Sequence, residues 1–445
     1  MEIPKDKVIG SWFGMAVGDA MGTGVRGLKP QTIAQCFKGM DGYKDVRPFI
    51  GKGVKGYRMQ GLYSSHTQRA LVVCESLLRN KKLNLDDLIQ TLVQMAGGGP
   101  EKGFGVFRHS EGCFRKTVEE FRHRRDPRLA ELNTAFCSYN SMAVPIALYF
   151  RTKQTAMMNA CLEAGLLMSR NPWEMAGIAL TGYFVTRLLG IEVEDAESGD
   201  LQAEIIFSEA AAFCEEAETG YKKNHPGWWG EYGEENGRAM SRTFHSLNKI
   251  FRELDEEKQM DWICKNAAAY FKTGIQHPSQ GYVLTLIPLA AIIVLTQGRN
   301  FEQSLTRAIN LGREADKLGC LVGAWAGALY GYSRIPDRLK SGLVNSKEIR
   351  NRGEALANRK ALKGFKDLPE MESGLTFKEM EDSRKFPFTK TRKTGPLGSG
   401  SKEVFEDEDS NGSLANLKED AYGWRKYQRD KSKQKRDRRR NLGKK

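Results

Sequence analysis

Apolar residues recur at helical spacing through most of the first 340 residues of the chain. Alternation of apolar and polar residues with a period of two, which a half-buried strand requires, does not extend over any useful length. The pattern therefore predicts an all-α fold, with one helical domain over residues 1–340. The segments that show the helical pattern are 71–78, 85–95, 141–150, 155–168, 173–189, 201–218 and 260–270.

Glycine occupies every fourth position from Gly319 through Gly323 and Gly327 to Gly331. On a helix this spacing gives one smooth face, on which a neighbouring backbone can approach closely. A dimer motif in a membrane has the same signature, but this run is short and the surrounding chain is polar. We therefore predict a tightly packed central helix of a bundle.

The composition changes near residue 340. Residues 341–445 are rich in Lys, Glu, Asp, Gly and Ser, with few clustered apolar residues, so they bury too little surface to offset the entropy of ordering. We predict that this segment is a low-complexity, mostly disordered tail. Its last part, 425–445, holds twelve Lys or Arg against two Asp, which accounts for most of the net charge of +14.

The basic end of the tail is a candidate binding surface for nucleic acid or for an acidic protein. A terminal charge run that only keeps the chain in solution is the alternative interpretation. The candidate contact residues are Lys433, Lys435, Arg436, Arg438, Arg439 and Arg440.

The cysteines and the apolar runs indicate the cellular compartment of the protein. The chain has eight cysteines, and none forms the CxxC pair of many zinc sites. The first residues show no signal-peptide core. The longest apolar run, 282–295, is too short to span a bilayer and contains Pro288. We therefore expect a cytoplasmic protein with no membrane partner.

A glycine-rich turn around Gly312 carries the candidate chemistry. It places Glu314 and Asp316 two positions apart, as in sites for hard divalent cations, which need several oxygen ligands. The next residue, Lys317, is a fixed cation that competes for the same carboxylates. The segment has the form of a metal site whose ligands have changed, and we expect Lys317 to pair with Asp316 or Glu314 where a metal would lie.

Four segments, in this order and spacing, resemble the ADP-ribosylglycohydrolase family. Residues 10–22 (GSWFGMAVGDAMG) are similar to its opening glycine-rich helix, and residues 61–68 (GLYSSHTQ) stand where the family has G-x-(W/Y)-T-D-D-T-Q. Residues 169–172 (SRNP) stand at its T-H-x-x-P motif, and residues 310–331 at N-L-G-G-D-T-D-T-I-G with the small-residue helix that follows. The resemblance covers about residues 5–340 and implies an orthogonal multi-helix bundle.

The resemblance also implies an activity and a cofactor. In the family, two Mg²⁺ ions held by the T-D-D and D-x-D-T motifs bind the ribose of ADP-ribose, and the enzymes hydrolyse its bond to a protein side chain or small acceptor. Most matching positions differ here. Ser65 and His66 stand for two Asp, Glu314 for a third, Lys317 for the closing Thr, and Arg170 for the histidine of T-H.

These changes favour a protein that keeps the fold but has lost or weakened the two-metal hydrolysis, so no cofactor is expected. It would retain at most the binding of ADP-ribose or another phosphorylated ligand, for which Arg and Lys are suited. The candidate ligand-binding residues are Asp19, Arg26 (where the family often has Glu), Ser64, Ser65, His66, Thr67, Arg170 and Lys317. The vestigial metal positions are Ser64, Ser65, His66, Glu314, Asp316 and Lys317.

Two alternatives stay open at this point. In the first, the chain is an active hydrolase with altered or single-metal chemistry, Mg²⁺ is its cofactor, and Glu314, Asp316 and His66 are catalytic. In the second, the bundle is a structural or interaction platform, and the basic tail carries the function.

Overall fold

The computed structural model describes residues 3–100, 103–124, 126–198, 201–360 and 364–387. These residues form twenty α-helices and two isolated β-bridges, with no strand among them, which confirms the all-α prediction. The helices are α1 (Lys5–Val25), α2 (Pro30–Phe37), α3 (Ser65–Asn80), α4 (Leu85–Gly97), α5 (Gly112–Glu120), α6 (Ala143–Tyr149), α7 (Gln154–Leu166), α8 (Pro172–Leu189), α9 (Val193–Ser198), α10 (Ala203–Asn224), α11 (Pro226–Gly230), α12 (Gly233–Gly237), α13 (Ala239–Ile250), α14 (Glu256–Phe271), α15 (Val283–Ile292), α16 (Phe301–Asn310), α17 (Ala315–Tyr330), α18 (Asp337–Gly342), α19 (Ser346–Asn358) and α20 (Leu368–Lys385).

Helices α1 and α17 pack against each other in the core, glycine against glycine. A Cβ atom added at Gly18 would lie 1.9 Å from the carbonyl oxygen of Gly319, and one added at Gly14 would lie 2.2 Å from that of Gly323. Neither position can accept a side chain unless the two backbones move apart. Every residue of α17 is buried, so the glycine spacing marks a central packed helix, as predicted.

Polar caps set the starts of two helices that border the candidate site. Ser64 precedes α3, and its Oγ accepts a hydrogen bond from the N–H of His66. Asn171 precedes α8, where its side chain accepts from the N–H of Glu174 and Pro172 takes the first helical position. Both helices therefore begin where short polar residues in the sequence can satisfy free backbone N–H groups.

Helix α18 spans the predicted domain boundary at residue 340, and α19 and α20 follow it, while the boundary itself stays a prediction. Ile349 and Leu356 of α19 are fully buried against the bundle. Arg352, also fully buried, pairs with Glu75 at 2.7 Å and with Glu348 at 2.8 Å. A few well-placed apolar residues and buried ion pairs thus hold a segment whose average composition is polar. Residues 388–445, which include the basic end of the predicted tail, lie outside the described residues.

In the described part of the chain, no helix has both the length and the apolar character needed to cross a membrane. The apolar run at 282–295 forms α15 and part of the π-helical turn Ile293–Gln297, and Pro288 lies inside α15. All residues of α15 are buried, so the run is part of the core.

Candidate functional site

Seven ionisable side chains form a compact group where α1, α3 and α17 meet. Helices α1 and α17 are antiparallel, and the N–H of Gly27, just after α1, donates to the carbonyl of Arg313, just before α17, at 2.7 Å. The end of one helix therefore lies beside the start of the other, and the first turns of α3 face both. The members of this group, called the ion cluster below, are Arg26, His66, Arg69, Glu111, Glu314, Asp316 and Lys317.

Asp19 supports the cluster from within α1. Its side chain is fully buried. Its Oδ2 accepts hydrogen bonds from the N–H of Ser64 at 3.0 Å, from the N–H of Thr67 at 2.9 Å and from the Thr67 hydroxyl at 2.7 Å. Its Oδ1 accepts from the hydroxyl of Thr23 at 3.1 Å. The carboxylate thereby holds the first turn of α3, which carries His66. Asp19 is thus hydrogen-bonded to Ser64 and Thr67, two other residues predicted to bind ligand.

The ammonium of Lys317 lies between two carboxylates. Its Nζ is 2.6 Å from Oε1 of Glu111 and 3.1 Å from Oε2 of Glu314, and it donates to the carbonyl of Phe136 at 3.0 Å. Burial would lower the pKa of Lys317, but the two carboxylates more than offset burial and raise that pKa above its usual value. The predicted pairing of Lys317 with Glu314 is confirmed.

Asp316 has cationic neighbours of its own and is fully buried. Its Oδ2 lies 3.4 Å from Nε of Arg26 and 3.6 Å from Nε2 of His66. Burial would raise the pKa of Asp316, but Arg26 and His66 outweigh burial and hold that pKa well below its usual range. Arg26 is itself anchored, because its Nη1 donates to the carbonyl of His109 at 2.6 Å. Asp316 is therefore ionised at neutral pH and balanced by groups of the chain itself.

Glu111 and Arg69 are two members that the sequence did not indicate. They lie 3.3 Å apart, and the guanidinium of Arg69 also contacts Nδ1 of His66. Arg69 is fully buried and lies 4.6 Å from the ring centroid of Phe114. Burial would raise the pKa of Glu111, but Lys317 and other cations lower it well below its usual range. Arg69 directly follows the segment 61–68, whereas Glu111 lies in no motif, so no local signal marks it.

The model of the ADP-ribosylglycohydrolase family matches residues 1–367 of the chain. The chain belongs to the ADP-ribosylglycohydrolase family. Among solved structures it is similar to an ADP-ribosylglycohydrolase-related protein complex, with a TM-score of 0.53 and 19% identity over 81% of this chain and 100% of that one. At this identity the likeness concerns the fold alone.

A curated relative matches over a shorter stretch. The ADP-ribosylarginine hydrolase Tri1 of Serratia proteamaculans (strain 568) is 40% identical over 78 residues, which are 18% of this chain and 21% of that protein. The match thus spans about a fifth of the length of the curated relative. The match of the family model over residues 1–367 establishes the family. The substrate in the name of Tri1 describes Tri1 itself.

ADP-ribosylglycohydrolases typically use metal ions. Among the described residues of this member, no group of three or more His, Cys, Asp or Glu side chains is placed to hold one. The carboxylates of the ion cluster contact basic side chains of the chain, namely Arg26, Arg69 and Lys317.

Two sets of residues that the sequence predicts to contact a ligand or partner are not members of the ion cluster. Arg170, at the T-H position of the ADP-ribosylglycohydrolase pattern, pairs with Glu231 at 2.9 Å and is 29% exposed. Its role in ligand binding stays a prediction. The candidate residues of the basic tail, Lys433, Lys435, Arg436, Arg438, Arg439 and Arg440, fall in the part of the chain that is not described.

The most accessible members of the ion cluster are Arg26 and Glu314, whose side chains are 15% and 26% exposed. The backbone of Phe136 contacts Lys317, and the half-buried ring of Phe136 lies 5.5 Å, between centroids, from that of half-buried Tyr282. The site of this ADP-ribosylglycohydrolase therefore has a partly accessible guanidinium and carboxylate, and an aromatic pair begins at a residue that Lys317 contacts.

Proposed function

We propose that this ADP-ribosylglycohydrolase binds ADP-ribose or a related phosphorylated ligand without a metal ion, and that it does not hydrolyse it. The observation that carries the proposal is the position of the Lys317 ammonium between Glu111 and Glu314. An ammonium in this position occupies carboxylate oxygens that a divalent cation would need as ligands. We infer that the residues present do not fit the two-Mg²⁺ site implied by the family pattern.

The charge balance of the ion cluster supports metal-free binding. Three carboxylates face three fixed cations, and His66 adds a charge only when it is protonated. Mg²⁺ ions would add positive charge to a site that is already neutral, and the buried cations beside them would repel them. Such unbalanced buried charge is costly because the low-dielectric interior does not screen it.

Two buried polar atoms without a hydrogen bond support a ligand that carries hydroxyl groups. Oδ2 of Asp316 and Nε2 of His66 are buried without a hydrogen-bond partner among the described residues. They lie 3.6 Å apart, too far for a normal hydrogen bond to each other. A sugar hydroxyl that contacts both atoms from one side would donate to the carboxylate. The exposed part of Arg26 suits a phosphate oxygen, and the pair Phe136–Tyr282 suits a base.

Isothermal titration calorimetry of the full chain with ADP-ribose, once with Mg²⁺ and once with EDTA, tests this function. We expect the same Kd in both, because the ion cluster supplies its own cations. We also expect no release of ADP-ribose from ADP-ribosylated arginine or serine in either buffer. Binding or release that requires Mg²⁺ would contradict the metal-free proposal and favour an active hydrolase that uses His66, Glu314 and Asp316. Absence of heat in both buffers would refute ligand binding.

Substitution of Arg26 locates the ligand within the site. We expect Arg26→Met to weaken ADP-ribose binding about tenfold or more, the usual size of a lost charge-assisted hydrogen bond. Arg187→Met is the matched control, since Arg187 pairs with Glu209 outside the ion cluster, and it should bind like the wild type. Circular dichroism checks that both variants are folded. Equal binding by Arg26→Met and the wild type would place the ligand away from Arg26.

A further inference from the structure

Helix α20 lies beyond the part of the chain that matches the family, which ends at residue 367. Its buried face carries the polar residues Glu372, Thr376 and Glu379. Positions three and four apart lie on the same side of a helix, so these three residues form one polar stripe. Buried polar groups need partners, and the partners of this stripe show what the helix does.

Glu372 holds two segments of the bundle together. Its Oε1 accepts from the hydroxyl of Tyr63 at 2.6 Å, and its Oε2 accepts from Nε2 of Gln68 at 2.8 Å and from Nη2 of Arg108 at 2.6 Å. Glu372 is fully buried, and the side chain of Arg108 is 1% exposed. Gln68 closes the network, because its Oε1 accepts from the N–H of Arg108 at 2.9 Å.

The rest of the stripe binds the same two segments. Oε1 of Glu379 accepts from the N–H of Met59 at 2.9 Å and lies 3.1 Å from Nε2 of His109. The hydroxyl of Thr376 donates to the carbonyl of Val106 at 2.7 Å. Helix α20 therefore bridges residues 59–68 and residues 106–109 at several points.

Both bridged segments lead directly to the ion cluster. The carbonyl of Arg108 accepts from the N–H of Ser65, at the start of α3, at 2.9 Å. The carbonyl of His109 accepts from Nη1 of Arg26 at 2.6 Å. Glu111, which binds Lys317, follows two residues later. A displacement of residues 106–109 would therefore move the partners of Arg26, of Lys317 and of the first turn of α3.

The geometry points to α20 as an intramolecular clamp, in which Glu372 and Glu379 are positioning residues for the ligand site. They do not touch the ion cluster. They hold Arg108 and His109, whose carbonyls fix the start of α3 and Arg26. The effect of this clamp on ligand affinity rests on the proposed function. Its effect on the local order of residues 59–68 and 106–109 does not.

Hydrogen–deuterium exchange of the full chain tests the clamp. The variants are Glu379→Gln and Glu372→Gln, with Glu381→Gln as the matched control, because Glu381 lies exposed on the same helix. We expect exchange in peptides covering residues 62–68 and 106–111 to rise about tenfold or more in the first two variants, as expected when a hydrogen bond to a charged group is lost. Exchange in α8, which α20 does not bridge, should stay at the wild-type rate.

Calorimetry with ADP-ribose on the same variants provides the second readout. Weaker binding by Glu379→Gln, with an unchanged global unfolding midpoint, supports a positioning role, since a purely structural contact would lower the midpoint instead. Wild-type exchange rates at residues 62–68 and 106–111 in both variants would overturn the clamp. If the wild type binds no ADP-ribose, the proposed function fails, and the exchange rates alone decide for or against the clamp. Should Glu372→Gln not fold, Glu379→Gln carries the test.

Discussion

Replacing Gly18 by alanine should lower the free energy of unfolding by about 3 kcal/mol or more, at the upper end of the usual cost of overpacking. The new Cβ would lie 1.9 Å from the carbonyl oxygen of Gly319 and 2.4 Å from its carbonyl carbon. Both are backbone atoms of a wholly buried helix, so no rotamer change can relieve the contact. Helices α1 and α17 would have to move apart. Urea unfolding followed by circular dichroism measures the loss.

Gly24→Ala is the matched control for Gly18→Ala. Gly24 lies in the same helix, but a Cβ there would meet only Cγ1 of Val46, at 4.0 Å. Alanine is the better helix former, so this variant should be unchanged or more stable by about 0.5–1 kcal/mol. Equal unfolding midpoints for Gly18→Ala and Gly24→Ala would show that the glycine crossing of α1 and α17 is not as close as described.

The helical core was predictable because its signals are local. Periodic apolar positions indicate helices within a few turns of chain, and glycines four residues apart mark a close helix crossing without knowledge of the partner. The helices beyond residue 340 were not predictable in this way. Helix α19 is held by Ile349, Leu356 and the pairing of Arg352 with Glu75, which is distant in sequence. Average composition does not reveal such pairs, so it gives no sign of the helices at 346–358 and 368–385.

Some contacts of the candidate site were also predictable from local sequence, and others were not. Glu314 and Lys317 are three residues apart at a helix start, so their pairing followed from spacing. The shorter contact of Lys317 is with Glu111, about 200 residues earlier in the chain, and only the fold brings them together. Arg170 was indicated by a motif position alone. It pairs with Glu231, and its role in ligand binding stays a prediction.

Lys317→Met should destabilise the protein by about 3 kcal/mol or more at neutral pH, the usual cost of removing one partner of a buried ion pair. The substitution keeps the volume of the side chain but removes the ammonium from both carboxylates. Glu314 keeps the more distant Arg26 as a cationic neighbour, and Glu111 keeps Arg69. Lys258→Met is the matched control. Lys258 pairs with Asp255 at the same spacing of three residues, but both side chains are exposed, so Lys258→Met should keep a urea midpoint close to that of the wild type.

The pH dependence separates electrostatic loss from loss of packing in Lys317→Met. In the wild type, the folded state holds the pKa of Glu111 below its unfolded value of about 4.3. The resulting stability is fully present above that unfolded value and is lost as the pH falls through the folded one. Urea midpoints of wild type and Lys317→Met should therefore differ most near pH 7 and converge as the pH falls below about 4. A difference that stays constant from pH 7 to pH 3 would mean that Lys317 contributes by packing. It would contradict the idea that the Lys317 ammonium balances the charge of Glu111 and Glu314 in place of a metal ion.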